Sequence, residues 1–296
     1  MHLKYLRRYG SFFLFLTPAL LFYITFLVSP ILQGMYYSLT NWRFMVPDYE
    51  FIGFSNFITI FQDDQAFISS IFFTFKLVIV LVIIQNVLAL GLALLIHASG
   101  RKLQGFFRTT FFMPHMISTI IATFIFSFIF SNVLLEFSET IPLLSFLDQP
   151  WLGDPDFAFW SLVIVHLWNG VPLMMIIYLA GLSGVPNHLK ESALIDGANG
   201  FQILKNIILP MIMPALTICV FLTLKEAFKT FEIVYALTDG GPGKSTEVMT
   251  LNIYNEAFSS NFLYGYASAK AMLLFLFVLV ISIIQIGIMK KREVEA

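Results

Sequence analysis

The sequence predicts an all-α integral membrane protein with six transmembrane helices. Three observations carry that prediction: an apolar composition, six long runs nearly free of charge, and a one-sided distribution of basic residues. Of 296 residues, 58% are hydrophobic, 17% aromatic and 12% charged, with a mean hydropathy of +0.83. A soluble domain of this length must wrap its core in a far more charged surface, so the excess apolar area must face lipid. The net charge of −1 argues by itself neither for nor against nucleic acid. The expected partner is therefore the lipid bilayer and not nucleic acid. The single cysteine, Cys219, lies in an apolar run and excludes an intrachain disulfide or a metal site built from cysteine pairs.

A hydrocarbon core about 30 Å thick takes roughly 20 apolar residues in helical form. Runs of that kind lie at about 12–38, 67–96, 106–130, 157–182, 207–227 and 264–289. The first follows Lys4, Arg7 and Arg8, as a signal peptide would, but it is too long for one and lacks a small-x-small cleavage site, so it is expected to be a retained span. Pro18, Pro30, Pro114, Pro172, Pro210 and Pro214 fall inside these runs. They would break soluble helices, whereas packed membrane helices tolerate them.

Basic residues beside the spans set the orientation. With the N-terminus inside, the inner segments hold Lys4, Arg7, Arg8, Arg101, Lys102, Arg108, Lys190, Lys205, Lys290, Lys291 and Arg292, and the outer loops only Arg43, Lys229 and Lys244. Both termini are therefore expected in the cytoplasm. The organisation that follows is an N-terminal helix with the first external loop (1–66), a core membrane domain (67–289) containing a cytoplasmic loop at 183–206, and a short charged tail (290–296).

That loop is not a featureless connector. Pro186 suits a first helical turn, Leu189, Ala193 and Asp196 recur at helical spacing, and Gly197 can turn the chain at little steric cost. Phe201, Leu204 and Ile208 then mark one face of a second short helix. The expectation is a small helix-turn-helix projection.

Glu191-Ser192-Ala193, followed by Gly197 and then Ile207-Ile-Leu209-Pro210, resembles the EAA loop of permease subunits in ATP-binding-cassette importers, with Ser192 where that family has its first alanine. Leu237-Thr-Asp-Gly240-Gly241-Pro242, Ser38-Leu-Thr-Asn-Trp42, Phe51-Ile-Gly-Phe-Ser-Asn-Phe57 and Ile195-Asp196-Gly-Ala198 are similar to the sugar-permease branch, the subunit type like the first component of the maltose and glycerol-3-phosphate permeases. The resemblance implies a type I ABC-importer permease fold in a bacterial or archaeal inner membrane. It implies as partners a second homologous permease, two ATP-binding cassette ATPase subunits, an extracytoplasmic solute-binding protein and a small carbohydrate. ATP and Mg would sit on the partner ATPase, and this chain would bind no cofactor. Glu191, Ser192, Ala193, Asp196, Gly197, Ile207, Leu209 and Pro210 would form the ATPase-coupling element.

Other motifs weigh less. Gly243-Lys-Ser-Thr246 resembles the tail of a phosphate-binding loop, but Thr238 stands where the first glycine belongs and no strand precedes it. His2, His97, His115, His166 and His188 show no metal-ligand spacing, and no Gly-x-Ser-x-Gly elbow is present, so neither a metal site nor a membrane hydrolase is expected. Lys76 and Lys270 can snorkel at an outer boundary, while Lys225 and Glu226 can pair with a second permease subunit. Trp168, Asn169 and Glu226 are hydrogen-bonding side chains in otherwise apolar helices and are candidates for a polar translocation pathway, helix-to-helix hydrogen bonding being the plainer alternative. A carrier driven by an ion gradient would share this hydropathy but not a loop shaped to dock an ATPase.

Overall fold

The computed structural model describes residues 2–46, 48–259 and 262–291, without the side chains of 2–11 and 101–102. Most of the charged tail expected at 290–296 lies outside the described residues. Among those described, the only β pairing is an isolated bridge between Thr40 and Phe51, and the rest of the ordered backbone is helical.

Five helices are long and apolar enough to cross a bilayer: α1 (Phe12–Tyr37), α3 (Gln65–Ala98), α5 (Thr119–Thr140), α6 (Pro155–Ser183) and α12 (Tyr264–Lys290). Counted as one broken span, the pair α8 (Gly200–Met211) and α9 (Met213–Phe228), bent by 74°, makes the sixth. Shorter helices fill the connections: α2 (Ser55–Gln62), α4 (Arg101–Phe112), α7 (Asn187–Ile195), α10 (Glu232–Leu237) and α11 (Met249–Tyr254). The six-span, all-α expectation holds, with two corrections to where the helices run.

The third crossing lies further along the chain than the hydropathy run at 106–130. α4 ends at Phe112, Met113–Met116 form a 3-10 turn, and Ile117 and Ser118 are extended with ψ near 135° before α5 begins. Pro114 has no N–H to give a continuing helix. Hydropathy missed the break because apolar residues stand on both sides of it, and Glu136 and Glu139 sit in the last turns of α5. The second correction is the bend at Ile212, between Pro210 and Pro214, which leaves α9 only 16 residues, or about 24 Å. At 34 residues α3 is about 51 Å long and outreaches the hydrocarbon core.

The chain divides into two units. One contains residues up to Gln65 and Ile253–Phe275. There Asn56 donates its amide to the Ser38 and Thr40 carbonyls at 2.9 Å each, and Gly265 donates its backbone N–H to the Trp42 carbonyl. A Cβ on Gly265 would collide with the Thr40 carbonyl oxygen, so glycine permits that approach. Lys270 does not snorkel. It is buried, with Nζ 2.8 Å from Asp64 and 2.7 Å from Glu256, and Tyr266 donates its hydroxyl to the same Asp64 carboxylate.

The second unit contains Ala66–Asn252 and the chain from Leu276 onward. Its core joins α3, α6 and α9 through Ala89, Ala93, Met174, Met175, Tyr178 and Cys219. α6 starts where it does because Asp154 caps it, its carboxylate accepting from the Asp156 and Phe157 N–H groups, with Pro155 in the first turn. Gly181 brings α6 against α9, since a Cβ there would stand 2.8 Å from the Ala215 Cβ. Lys76 also has a partner, its ammonium lying 4.3 Å from the centre of the Phe159 ring.

Candidate functional site

Between α6 and α9 the chain builds the expected helix-turn-helix. α7 follows Pro186, whose φ of −63° and ψ of 132° feed the chain into the helix. Gly197 closes it in a left-handed conformation at φ +82°, with its N–H donating to the Leu194 carbonyl and that of Ala198 donating to Ala193. α8 then opens on a reciprocal capping box: the Gln202 N–H donates to the Asn199 side chain at 2.9 Å, and the Asn199 N–H to the Gln202 side chain at 2.8 Å. Both helix ends and the turn between them are fixed locally, which makes the projection a defined shape.

Glu191, Ser192, Asp196 and Gly197 are exposed on this projection, Ala193 is half-buried, and Ile207, Leu209 and Pro210 are half-buried further along. Leu194, Ile195 and Phe201 present apolar side chains to the outside, with 61%, 87% and 71% of their surfaces accessible. Leu194 and Ile195 did not stand out in the sequence because neither lies on the Leu189 and Ala193 stripe. An exposed apolar cluster on a capped, rigid turn suits docking to another protein.

The second site is a cavity of about 390 Å³ in the same unit, lined by Gln85, His115, His166, Asn169, Thr223 and Glu226 among others. Two of the three pathway candidates, Asn169 and Glu226, meet here. Trp168 does not: it forms the wall of a separate apolar pocket with Leu88, Phe111 and Pro172, and packs edge-on against Phe126 at 5.3 Å. The Nδ1 of His115 lies 3.0 Å from the Asn169 backbone carbonyl, which can only accept, so this nitrogen carries a proton and donates it. His166 bonds through Nε2 to the Thr230 hydroxyl. Gln85 Nε2 and Asn169 Nδ2 are buried with no hydrogen-bond partner among the described residues. Gly170 makes room for the Gln85 amide, because a Cβ there would meet Gln85 Nε2 at 2.5 Å.

The cavity is lined by imidazole and hydroxyl groups and the Glu226 carboxylate, with two unspent amide donors buried in its wall, a polar lining that suits a ligand rich in hydroxyls. Gln85, His115 and His166 were missed from sequence. His115 is held by a backbone carbonyl 54 residues away, and no spacing rule exposes such a contact.

Gly240, Gly241 and Pro242 form a self-bonded loop and no phosphate cradle. Gly240 takes φ +80°, the buried Thr246 hydroxyl donates to the Gly241 carbonyl at 2.6 Å, and the Thr246 N–H donates to the Gly240 carbonyl. A threonine spent on its own loop, with the next helix starting only at Met249, leaves no nucleotide-binding helix N-terminus. Among the described residues no group of three or more histidine, cysteine, aspartate or glutamate side chains is placed to hold a metal ion.

Membrane-length helices, one of them broken, with a polar cavity and a projecting helix-turn-helix, fit a transport permease. Comparison with known proteins places the chain within that class. Residues 85–292 match the family described as binding-protein-dependent transport system inner membrane component, and the chain belongs to that family. It is 40% identical to the probable starch degradation products transport system permease protein AmyD of Thermoanaerobacterium thermosulfurigenes over 99% of this chain and 98% of that one. It is 34% identical to the multiple sugar-binding transport system permease protein MsmF of Streptococcus mutans over 98% and 99% of the two chains. In fold it matches a chain from the crystal structure of a bacterial alginate ABC transporter in complex with an alginate pentasaccharide-bound periplasmic protein, with a TM-score of 0.81, 23% identity and coverage of 97% and 96%.

Proposed function

We propose that this chain is the permease subunit that carries a sugar or related polyol inward, in a complex with a second homologous permease, two ATP-binding cassette ATPases and an extracytoplasmic solute-binding protein. The chain itself makes and breaks no covalent bond; ATP and Mg are held by the ATPases. Both termini face the cytoplasm, which puts α7 and α8 on the side where ATP is hydrolysed. The observation that carries the reading is the exposed Leu194, Ile195 and Phe201 cluster on a turn fixed by Gly197 and the Asn199 capping box. The sugar-permease names of full-length relatives support the substrate class.

In this reading the ATPases close on the projection and move it as a rigid piece. Glu191 supplies a charge-assisted contact, Ala193 packs in the receiving groove, and Gly197 sets the angle between the two helices. The motion passes directly into α8 and the bend at Ile212, and α9 carries Thr223 and Glu226 to the cavity wall. Asn169 and Glu226 belong to the translocation pathway, where the cavity releases its ligand to the other side as access alternates.

The test is co-isolation of the chain with an ATPase and a second permease, followed by reconstitution with the loaded binding protein. Gly197→Asp meets no steric obstacle, since no heavy atom lies within 4 Å of a Cβ there, but it forces a left-handed backbone that costs an L residue about 1–2 kcal/mol. Gly197→Asp and Glu191→Lys are expected to insert normally and lose either the ATPase or its stimulation by substrate. Wild-type uptake and stimulation in both would remove the loop as the coupling element. Cysteines placed at Lys190 and Lys291 in a Cys219-free background should label only after permeabilisation, and at Asp154 and Lys244 from outside; external labelling at Lys190 would overturn the orientation.

A further inference from the structure

A tyrosine hydroxyl and an asparagine amide in the middle of apolar helices are costly unless they pair. Tyr178 and Asn86 are buried and pair with each other: the Tyr178 hydroxyl donates to Asn86 Oδ1 at 2.8 Å. The Asn86 amide then donates to the Val82 carbonyl at 2.8 Å and to the Thr223 hydroxyl at 3.3 Å. One residue each from α3, α6 and α9 is tied at one point.

The two ends of this tie lie in different working parts. Asn86 follows Gln85, and both Gln85 and Thr223 line the polar cavity. Tyr178 lies one turn before Gly181, where α6 and α9 approach so closely that a Cβ on the glycine would overlap Ala215, and α6 ends at Ser183, just before the docking projection. Sliding α6 along α3 leaves Asn86 Oδ1 unpaired and the Tyr178 hydroxyl with only the weak Cys219 thiol beside it, in a low-dielectric interior. The contact therefore favours the register in which it is made.

We infer that Tyr178 and Asn86, with Thr223, are positioning residues that hold the cavity wall in register with the cytoplasmic loop, so that ATP hydrolysis waits for loaded binding protein. This rests on the importer reading given above. The experiment compares reconstituted complexes for ATP hydrolysis with and without loaded binding protein, sugar moved per ATP, and amount of assembled complex. Tyr178→Phe is expected to assemble at the wild-type level, to raise hydrolysis without binding protein about fivefold, a typical size for a coupling between two sites, and to lower sugar moved per ATP. Tyr178→Phe with Asn86→Leu removes both partners of that bond, a change that is close to neutral for the pair itself, and frees the buried Thr223 hydroxyl from Asn86. Coupling should stay lost in that double variant while assembly is normal.

A wild-type basal rate and wild-type sugar-to-ATP ratio in Tyr178→Phe would overturn the inference. So would recovery of coupling in the double variant, because the single change would then have acted only through an orphaned polar group. If the wild-type complex itself shows no stimulation, the importer reading falls and the inference with it. Stimulated wild type alongside unaltered variants removes the tie alone.

Discussion

In the unit made of residues up to 65 and 253–275, Lys270 meets Asp64 at 2.8 Å and Glu256 at 2.7 Å, with Tyr266 bonded to the same aspartate. In the unit of Ala66–Asn252 and the chain from Leu276, Gln85 Nε2 and Asn169 Nδ2 meet no partner among the described residues. Burial penalises unpaired polar groups, so a cluster that is closed on itself and a cluster left open have different uses. The first braces α12 to α2's end and the segment at Glu256. The second keeps donors in reserve beside a cavity and gives up some stability for it, as binding sites do. Removing a side chain from the first cluster should therefore damage the fold, and removing one from the second should damage transport.

The largest effect is expected at Lys270. Lys270→Met deletes the cation and leaves two carboxylates, 15% and 12% exposed, facing each other. Breaking a buried pair in this way costs about 3–5 kcal/mol, which should show as a sharply lower amount of folded protein in membranes and an earlier thermal transition in detergent. Neutralising all three positions, Lys270→Met with Asp64→Asn and Glu256→Gln, should recover most of the loss. A single variant as stable as wild type would mean that the cluster is not closed in the way described.

Next in size is the open cluster. Asn169→Ala removes a donor that has nothing to bond to, so the fold should be unaffected or up to about 1 kcal/mol more stable. Glu226→Gln keeps the shape of an exposed side chain and removes its charge. Each should raise the KM for uptake, by up to about tenfold if one hydrogen bond to the ligand is lost, with complex assembly intact. Normal uptake by both, at full expression, would take these residues out of the pathway and leave the cavity as packing.

Why these two clusters were unequally legible follows from the range of the signal each depends on. The spans and the turn at Gly197 are local: apolar length gives the crossings, and Gly197 with Pro186 gives the turn, so both could be inferred from neighbours in sequence. The break before α5 was hidden because Pro114 has apolar residues on both sides, and the composition of a window cannot register a change of backbone direction. Lys270 was assigned to a boundary because its partners lie 14 and 206 residues earlier in the chain, and nothing in the run around it announces them. Gln85 had no signal at all: a glutamine in an apolar helix is the same whether its amide is spent on a neighbour or held open by the absent side chain of Gly170.

The smallest effect sharpens the boundary of the open cluster. Trp168 precedes Asn169 in sequence and was grouped with it on the ground that both can hydrogen-bond. Successive residues on a helix point about 100° apart, and the structure sends Trp168 to an apolar pocket against Phe126 while Asn169 reaches the cavity. The indole contributes packing there, with an edge-to-face contact worth about 0.5–1.5 kcal/mol. Trp168→Phe keeps an aromatic ring in that pocket and should lower the thermal transition slightly while leaving the KM for uptake at the wild-type value. A KM shift in Trp168→Phe as large as that in Asn169→Ala would mean that the pathway runs along both faces of α6 and that the cavity at Gln85 is only part of it.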